Sequence, residues 1–411
     1  MVDFARGVAK TITIAKETAL GTASVASGQY LRRISSDLNL NITPIESQEI
    51  LPSQQVRDYR NGPRQIGGTL QGQLSPGSYQ DIFQGVLRKD FVAGGTASAV
   101  ADTVLTNTTP GTSNMTLVSA ATNWITSGFK AGDVVRITGA TGGSAVVNGD
   151  NFRVLSVTAS PHTMTLAPNA TAVGWASGQT ISIAVAGKKL WIPASGQVYN
   201  SYTIEHWFSD VSISDVFLGN RITQLALNIP ASGFVTMNAG LTGLNQTTAG
   251  SQAYPSATAA SASGSLTAVD GKINYNGSDL AYITGFNLQI APAVQTTPVI
   301  GSNILPEVFL GTLAVRGSLT CLFKGSDSFT ADFLAETELS LQLFLTSSPA
   351  DNAEFISIYL PRVKLSSSQK SDSDRAIMRS FNFMALEKVT GAGSGTQFDA
   401  TTIVIQDSNA T

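Results

Sequence analysis

Asp37-Leu38-Asn39-Leu40-Asn41-Ile42-Thr43-Pro44 and Gly285-Phe286-Asn287-Leu288-Gln289-Ile290-Ala291-Pro292 read alike at an offset of 248 (285 minus 37). In both, large apolar residues alternate with Asn, Gln or small ones. A strand sends successive side chains to opposite faces, so this period predicts a strand buried on one face and wet on the other. Two more segments keep the spacing. Gly68-Thr69-Leu70 aligns with Gly317-Ser318-Leu319 at 249, and Ser78-Tyr79-Gln80-Asp81-Ile82-Phe83 with Ser328-Phe329-Thr330-Ala331-Asp332-Phe333 at 250. Three segments in one order, with offsets agreeing within two residues, predict an internal duplication.

The third segment predicts one short helix in each copy. Tyr79, Ile82, Phe83, Val86 and Leu87 share a face at helical spacing, with Ser78 as cap and Asp81 three residues on, as in a capping box. In the second copy Ser328 caps, and Phe329, Phe333 and Leu334 form the face. Beyond the helix the copies differ in length. The strand Phe355–Pro361 starts 22 residues after Phe333, and the strand matched to it, Tyr202–Phe208, starts 119 residues after Phe83. The excess of 97 (119 minus 22) predicts an inserted domain at 96–189, between Ala93-Gly94-Gly95-Thr96 and Ala186-Gly187-Lys188. The first repeat is then 1–95 with 190–265, and the second 266–411.

Turn chemistry at Gly128–Asp133 and Asn148-Gly149-Asp150 precedes strands at Val134–Ile137 and Phe152–Val157; His162–Leu166 and Ile181–Val185 follow. Trp124 and Trp175 are candidate core anchors, and a small barrel or sandwich is expected for the insert. Leu244–Ser265, rich in Ala, Ser, Thr and Gln, is expected as a flexible loop, and Ser366–Arg375 as a mobile hairpin tip. Trp191, Trp207 and Phe208 read as core.

Composition limits the function classes. Of 411 residues only 13% are charged, 42% are hydrophobic and 38 are glycine, with a net charge of -3. That is a β-rich globular chain, neither disordered nor a basic nucleic-acid binder. Cys321, in the apolar run Leu319–Phe323, is a buried small hydrophobe without a disulfide partner. His162 and His206 stand apart, and neither CxxC nor HExxH occurs, so no metal or cofactor is expected. Glu205 and His206 point to opposite faces of a strand and make no dyad. The start, Met1–Gly21, carries Arg6, Lys10, Lys16 and Glu17 among its apolar residues, and no stretch reaches the roughly 20 apolar residues of a membrane span. The expectation is a non-enzymatic chain with no membrane insertion, made in a cytoplasm.

Lys16–Thr22, Glu46–Ile50, Arg57–Arg60, Gly67–Leu74, Tyr202–Glu205 and Gly219–Thr223 occur in this order, and in that order they resemble bacteriophage tail tube proteins. The likeness covers both repeats. The insert resembles, more loosely, small β domains that decorate the outside of some phage tails. The long Ala/Ser loop departs from the family pattern.

The resemblance implies a β-sandwich or barrel with a short flanking helix, assembled into rings that stack into a tube. It implies a continuous inner β-barrel through which viral DNA passes without specific binding. It implies a virion protein, assembled in the bacterial host cytoplasm, with tail tape-measure, tail terminator and tail tip proteins as partners. Family rings are six-fold, so two tube domains per chain point to a trimer of pseudo-six-fold symmetry; a hexamer of one larger domain is the alternative. Arg57, Asp58, Arg60 and Arg64, together with Lys370 and Asp372 of the second polar stretch, become candidate inter-subunit or inter-ring contacts. Glu49 and Glu205 are candidate lumen or interface charges. Two other classes compete: a capsid decoration protein or host-binding adhesin, and a hydrolase using Glu336 and Glu338, whose two-residue spacing puts them on different helix faces.

Overall fold

Two runs of five strands and one helix, in the same order, build the body of the molecule. The computed structural model describes residues 4–169, 172–325, 329–372 and 374–411. The first run is β1 (Asn39–Glu46), β2 (Tyr59–Gln73), α1 (Gln80–Leu87), β3 (Tyr202–Phe208), β4 (Ile213–Pro230) and β5 (Thr236–Gly243). The second is β6 (Ile283–Thr296), β7 (Val308–Leu322), α2 (Phe329–Leu334), β8 (Leu339–Thr346), β9 (Phe355–Lys370) and β10 (Met378–Ala385). Antiparallel pairing gives one continuous sheet, β1-β2-β5-β4-β6-β7-β10-β9, and the runs meet at β4–β6.

The runs share register as well as order. Asn39 faces Gly67 as Gln289 faces Arg316, which sets β6 at 250 beyond β1 (289 minus 39) and β7 at 249 beyond β2 (316 minus 67). Leu225 faces Ala239 as Ser368 faces Phe381, which sets β9 at 143 beyond β4 (368 minus 225) and β10 at 142 beyond β5 (381 minus 239). Ladder irregularities recur at the same offsets. Ile42/Pro44 returns at Pro292/Val294, Ile222/Gln224 at Leu365/Ser367, and Tyr202/Ile204 at Leu339/Leu341. A bulge is a positional feature of a strand, so agreement at three places fixes the correspondence residue by residue.

Two sequence expectations shift on this register. The 37–44 segment corresponds to β6 at 250, not 248; a slip of two residues keeps every side chain on its face and is invisible to an alternating pattern. Tyr202–Phe208 corresponds to β8, not to Phe355–Pro361, because Ile204 faces Phe217 as Leu341 faces Leu360.

One sheet face closes a single core that runs through both halves, from Ile66, Leu70 and Leu225 to Leu288, Leu319 and Phe381. In α1 the residues Ile82, Phe83, Val86 and Leu87 are buried with Tyr79 just ahead. The cap differs from expectation: Tyr79 is the N-cap without a side-chain bond, and the Ser78 hydroxyl pairs with Ser75 Oγ at 2.6 Å instead. Phe329 of α2 is buried, but Leu334 points to solvent; Ser328 lies outside the described residues. Cys321 is buried, its Sγ 3.5 Å from the Arg379 carbonyl oxygen.

The insert is a closed six-stranded barrel. Besides the expected strands it uses Thr96–Thr106, rich in Ala and Thr with few large apolar residues, and the five-residue Met115–Ser119. Trp124 and Trp175 sit in its core. The barrel is tied to the sheet by specific contacts. Arg153 makes a two-pronged pair with Asp279 at 2.8 and 2.6 Å. Gln406 clasps the backbone of Val134 and Ala186, and Gln342 donates to the Gly132 carbonyl at 2.9 Å. Gly132 has φ +91°, and an added Cβ would fall 2.2 Å from a Tyr359 ring carbon. Gly132→Ala therefore combines left-handed strain with overpacking. It should cost at least about 2 kcal/mol in urea unfolding, and wild-type stability of this variant would contradict the seating of barrel on sheet.

The two polar stretches are more ordered than expected. Asn245–Ala249 is a strand paired with β4. Farther on, Tyr254 is buried and Thr258 exchanges backbone bonds with Gly28 and Tyr30. Ser366–Lys370 belongs to β9 rather than to a tip, and Ser373 lies outside the described residues. Trp191, Trp207 and Phe208 are only half-buried, because they close strand ends at the surface.

Candidate assembly surface and channel face

The second face of the sheet carries no core. Its side chains line a depression of about 820 Å³ and are mostly amides and hydroxyls. The register aligns them into rows. Gln73, Thr236, Asn228, Asn287, Ser318, Asn382 and Ser367 face one another across seven strands. The neighbouring row runs Gln71, Asn238, Ala226, Gln289, Arg316, Met384 and Lys364. Only Arg316 and Lys364 in these two rows are charged. Such a face offers hydrogen bonds to water, and two cations are too few to neutralise the many phosphates of a bound polyanion.

The candidate contact residues fall in two places. Arg57 and Asp58 lie in the connection between β1 and β2, where Arg57 meets Glu49 at 3.5 Å. Arg60 and Arg64, expected in a loop, are inside β2. Arg60 approaches Asp58 at 3.4 Å with both side chains exposed. The backbone N–H of Arg64 donates to the Asn303 carbonyl at 2.7 Å, so the β6–β7 connection leans on β2. At the other end of the sheet, Lys370 closes β9 with its ammonium 4.5 Å from the Phe323 ring centre, and the exposed Asp372 follows. Within one chain the two groups do not meet.

Both connections at the β1–β2 and β6–β7 hairpins expose large apolar side chains. Ile50 and Ile300 are essentially fully exposed, at 99% and 106%.

Of the glutamate and histidine candidates, Glu205 resolves differently from expectation, and the others have partners of their own. Glu205 is fully buried and accepts from Ser214 Oγ at 2.6 Å and from the backbone N–H of Ala253 and Tyr254, so it anchors the 250–258 segment and is neither a lumen nor an interface charge. Glu338 pairs with Arg362 at 2.6 Å, and Glu336 lies 3.8 Å from Lys364, both at the surface after α2. His206, on the opposite face from Glu205, sits against Phe217 with Nε2 3.1 Å from Ser36 Oγ. Burial, aided by Lys10 and Arg33, pushes its pKa down to about 3.

A histidine whose folded pKa lies below its unfolded value binds fewer protons when folded, so its contribution to stability is lost as pH falls from about 6.5 towards 3. Asp81 and Asp407, pushed up to about 6 by burial, act in the opposite sense and gain as pH falls from about 6 to about 4. The His206 effect is isolated by comparison with His206→Asn. The gap in urea midpoint between wild type and variant should change in the variant's favour as pH falls from 7 to 3, and a gap constant with pH would contradict the buried neutral imidazole.

Residues 7–385 match the family described as phage tail tube protein. The chain belongs to the phage tail tube protein family. It is a structural component of a phage tail, hence of the virion, and membership implies oligomeric assembly into a tube. No curated protein matches the chain. Among the described residues, no helix is long and apolar enough to cross a membrane. The sheet edges and the amide face are the candidate functional surfaces, and sequence reasoning found them unevenly. The charge cluster at 57–64 pointed to Asp58, and the second polar stretch to Lys370. The amide rows were signalled only by the Asn and Gln alternation of β1 and β6, because the other members come from strands far apart in sequence.

Proposed function

We propose that this chain is the major tail tube subunit, self-assembling into stacked rings whose lumen is the amide face of the eight-stranded sheet. The observation that carries the reading is that face: a band mostly of amides and hydroxyls, with Arg316 and Lys364 its charged members in the two aligned rows, on a sheet whose β1 and whose last β9 residues each have one unpaired edge. Sheet edges invite pairing with another chain, and closing the sheet into a barrel removes them. The shared register of the two strand runs supports two tube repeats, 1–95 with 190–265 and 266–411. The barrel at 96–189 would then lie outside the tube, since its anchors at Asp279, Gln342, Tyr359 and Gln406 are not among the residues lining the amide face. Three chains would supply the six domains of a pseudo-six-fold ring. DNA would pass without specific binding, no catalytic role is assigned, and assembly would take place in the host cytoplasm with tape-measure, terminator and tip proteins as partners.

Negative-stain electron microscopy with light-scattering mass tests this. Stacked rings with a central hole and a trimer mass are expected, whereas a monodisperse particle without a lumen at high concentration would favour a decoration protein or adhesin. Arg60→Ala separates fold from assembly. An exposed ion pair is worth about 0–1 kcal/mol, so the melting curve should barely move while tubes become shorter or fewer. Unchanged tube length and yield would remove Arg60 from the inter-ring contact.

A further inference from the structure

The β4–β6 seam inside the chain has all its parts present a second time, divided between the two ends of the sheet. Ala226 of β4 faces Gln289 of β6 in that seam. Their register counterparts are Gln369 of β9 (226 plus 143) and Asn39 of β1 (289 minus 250), both exposed. Among the described residues, β1 pairs along one edge only, with β2, and the last residues of β9 pair along one edge only, with β10. The internal seam is also bolted by charge: Arg221 donates to Glu307 Oε1 at 2.6 Å. The counterparts are Lys364 (221 plus 143) and Asp58 (307 minus 249), which keep both signs and lie at opposite ends of the sheet. Apolar burial follows the same rule. Leu305 and Val308 are buried against Leu244 beside the internal seam, while their counterparts Val56 and Tyr59 stand exposed at 68% and 58%.

We propose that the seam between neighbouring chains in the ring repeats the internal β4–β6 seam, with β9 of one copy pairing antiparallel to β1 of the next. In this register Gln369 faces Asn39 of the next copy, Lys364 pairs with its Asp58, and its Val56 and Tyr59 cover the half-buried Leu386, the counterpart of Leu244 (244 plus 142). The occupant of each open edge is thus a second copy of this chain. The inference rests on the ring reading above and adds the contacts and register to it. Strand edges alone would accept any register, and it is the retained charge pair and the exposed apolar counterparts that select this one.

Two variants test it. In Asn39→Cys with Gln369→Cys, mild oxidation of assembled protein should give disulfides between chains, read on a non-reducing gel as a ladder ending at the closed ring. Either single cysteine should give none. Ala226→Cys with Gln289→Cys is the internal control and should link within one chain, migrating as monomer. Independently, Lys364→Glu should lower ring yield at least tenfold, and Asp58→Lys in the same chain should restore it. Asp58 is exposed and Lys364 is partly exposed, with Glu336 at 3.8 Å as its ion partner, so circular dichroism should report an unchanged fold. Rings that form without the 39–369 link, or a charge reversal with no effect on yield, would overturn the seam while leaving the tube reading intact. Wild-type protein that forms no rings would overturn both.

Discussion

Lys189→Met lowers the stability of the folded chain by about 3–5 kcal/mol at pH 7. The Lys189 ammonium is buried 3.0 Å from Asp133 and 3.2 Å from Asp399, and Asp133 is itself almost inaccessible. Burial works against the ammonium, but the two carboxylates together outweigh it and hold the Lys189 pKa above the ordinary lysine value. Burial, ahead of the attraction of Lys189, raises the Asp133 carboxyl. Removing the cation leaves that carboxylate in a dry site with one remaining donor of note, the Lys130 backbone N–H at 2.9 Å. The penalty is therefore present above the folded pKa of Asp133 and relieved as pH falls, so the variant should recover relative to wild type on acidification. Lys189→Met with Asp133→Asn should lose less than Lys189→Met alone, since no buried charge is stranded at Asp133. Urea titrations at two pH values read all three; a Lys189→Met curve superimposed on wild type would show that this ion pair does not hold barrel and sheet together.

Ile50→Asp combined with Ile300→Asp should abolish tube growth and leave rings. Both side chains stand at the outermost connections of the two equivalent hairpins and contribute almost nothing to the core. Adding charge there should change folding stability by no more than about 0.5 kcal/mol. If ring stacking buries these tips, each substitution places a carboxylate in an apolar contact, and the loss is repeated at every subunit of every ring. Sedimentation would then show rings without the fast tube fraction. Tubes of normal length from the double variant would exclude the tips from the stacking contact.

The sequence showed the repeating element and the helix plainly, because alternation in β1 and β6 and the Ile82/Phe83/Val86/Leu87 face are local patterns. A length difference pointed to an insert, but its size depended on the strand match: against β8, which starts 6 residues after Phe333, the excess is 113 (119 minus 6) rather than 97. What the sequence missed depends on register. Period-two alternation cannot distinguish an offset of 248 from 250, and it matched Tyr202–Phe208 to β9 although the register assigns it to β8. The amide rows and the correspondence of Arg221 and Glu307 with Lys364 and Asp58 exist only once each strand is aligned with its neighbours. Ser78 misled because a serine ahead of an amphipathic run signals a cap, whereas here Ser75 takes its hydroxyl.

The central claim is that the amide face of an eight-stranded sheet, continued from chain to chain, is the wall of a channel. An electron cryo-microscopy map of the assembled tube tests it most directly. The account predicts a closed β-barrel with Asn228, Asn287 and Asn382 facing the lumen, Gln369 opposite Asn39 of the next chain, and the 96–185 barrels on the outside. A tube lined by the 96–185 barrels, or with the amide face turned away from the lumen, would contradict it.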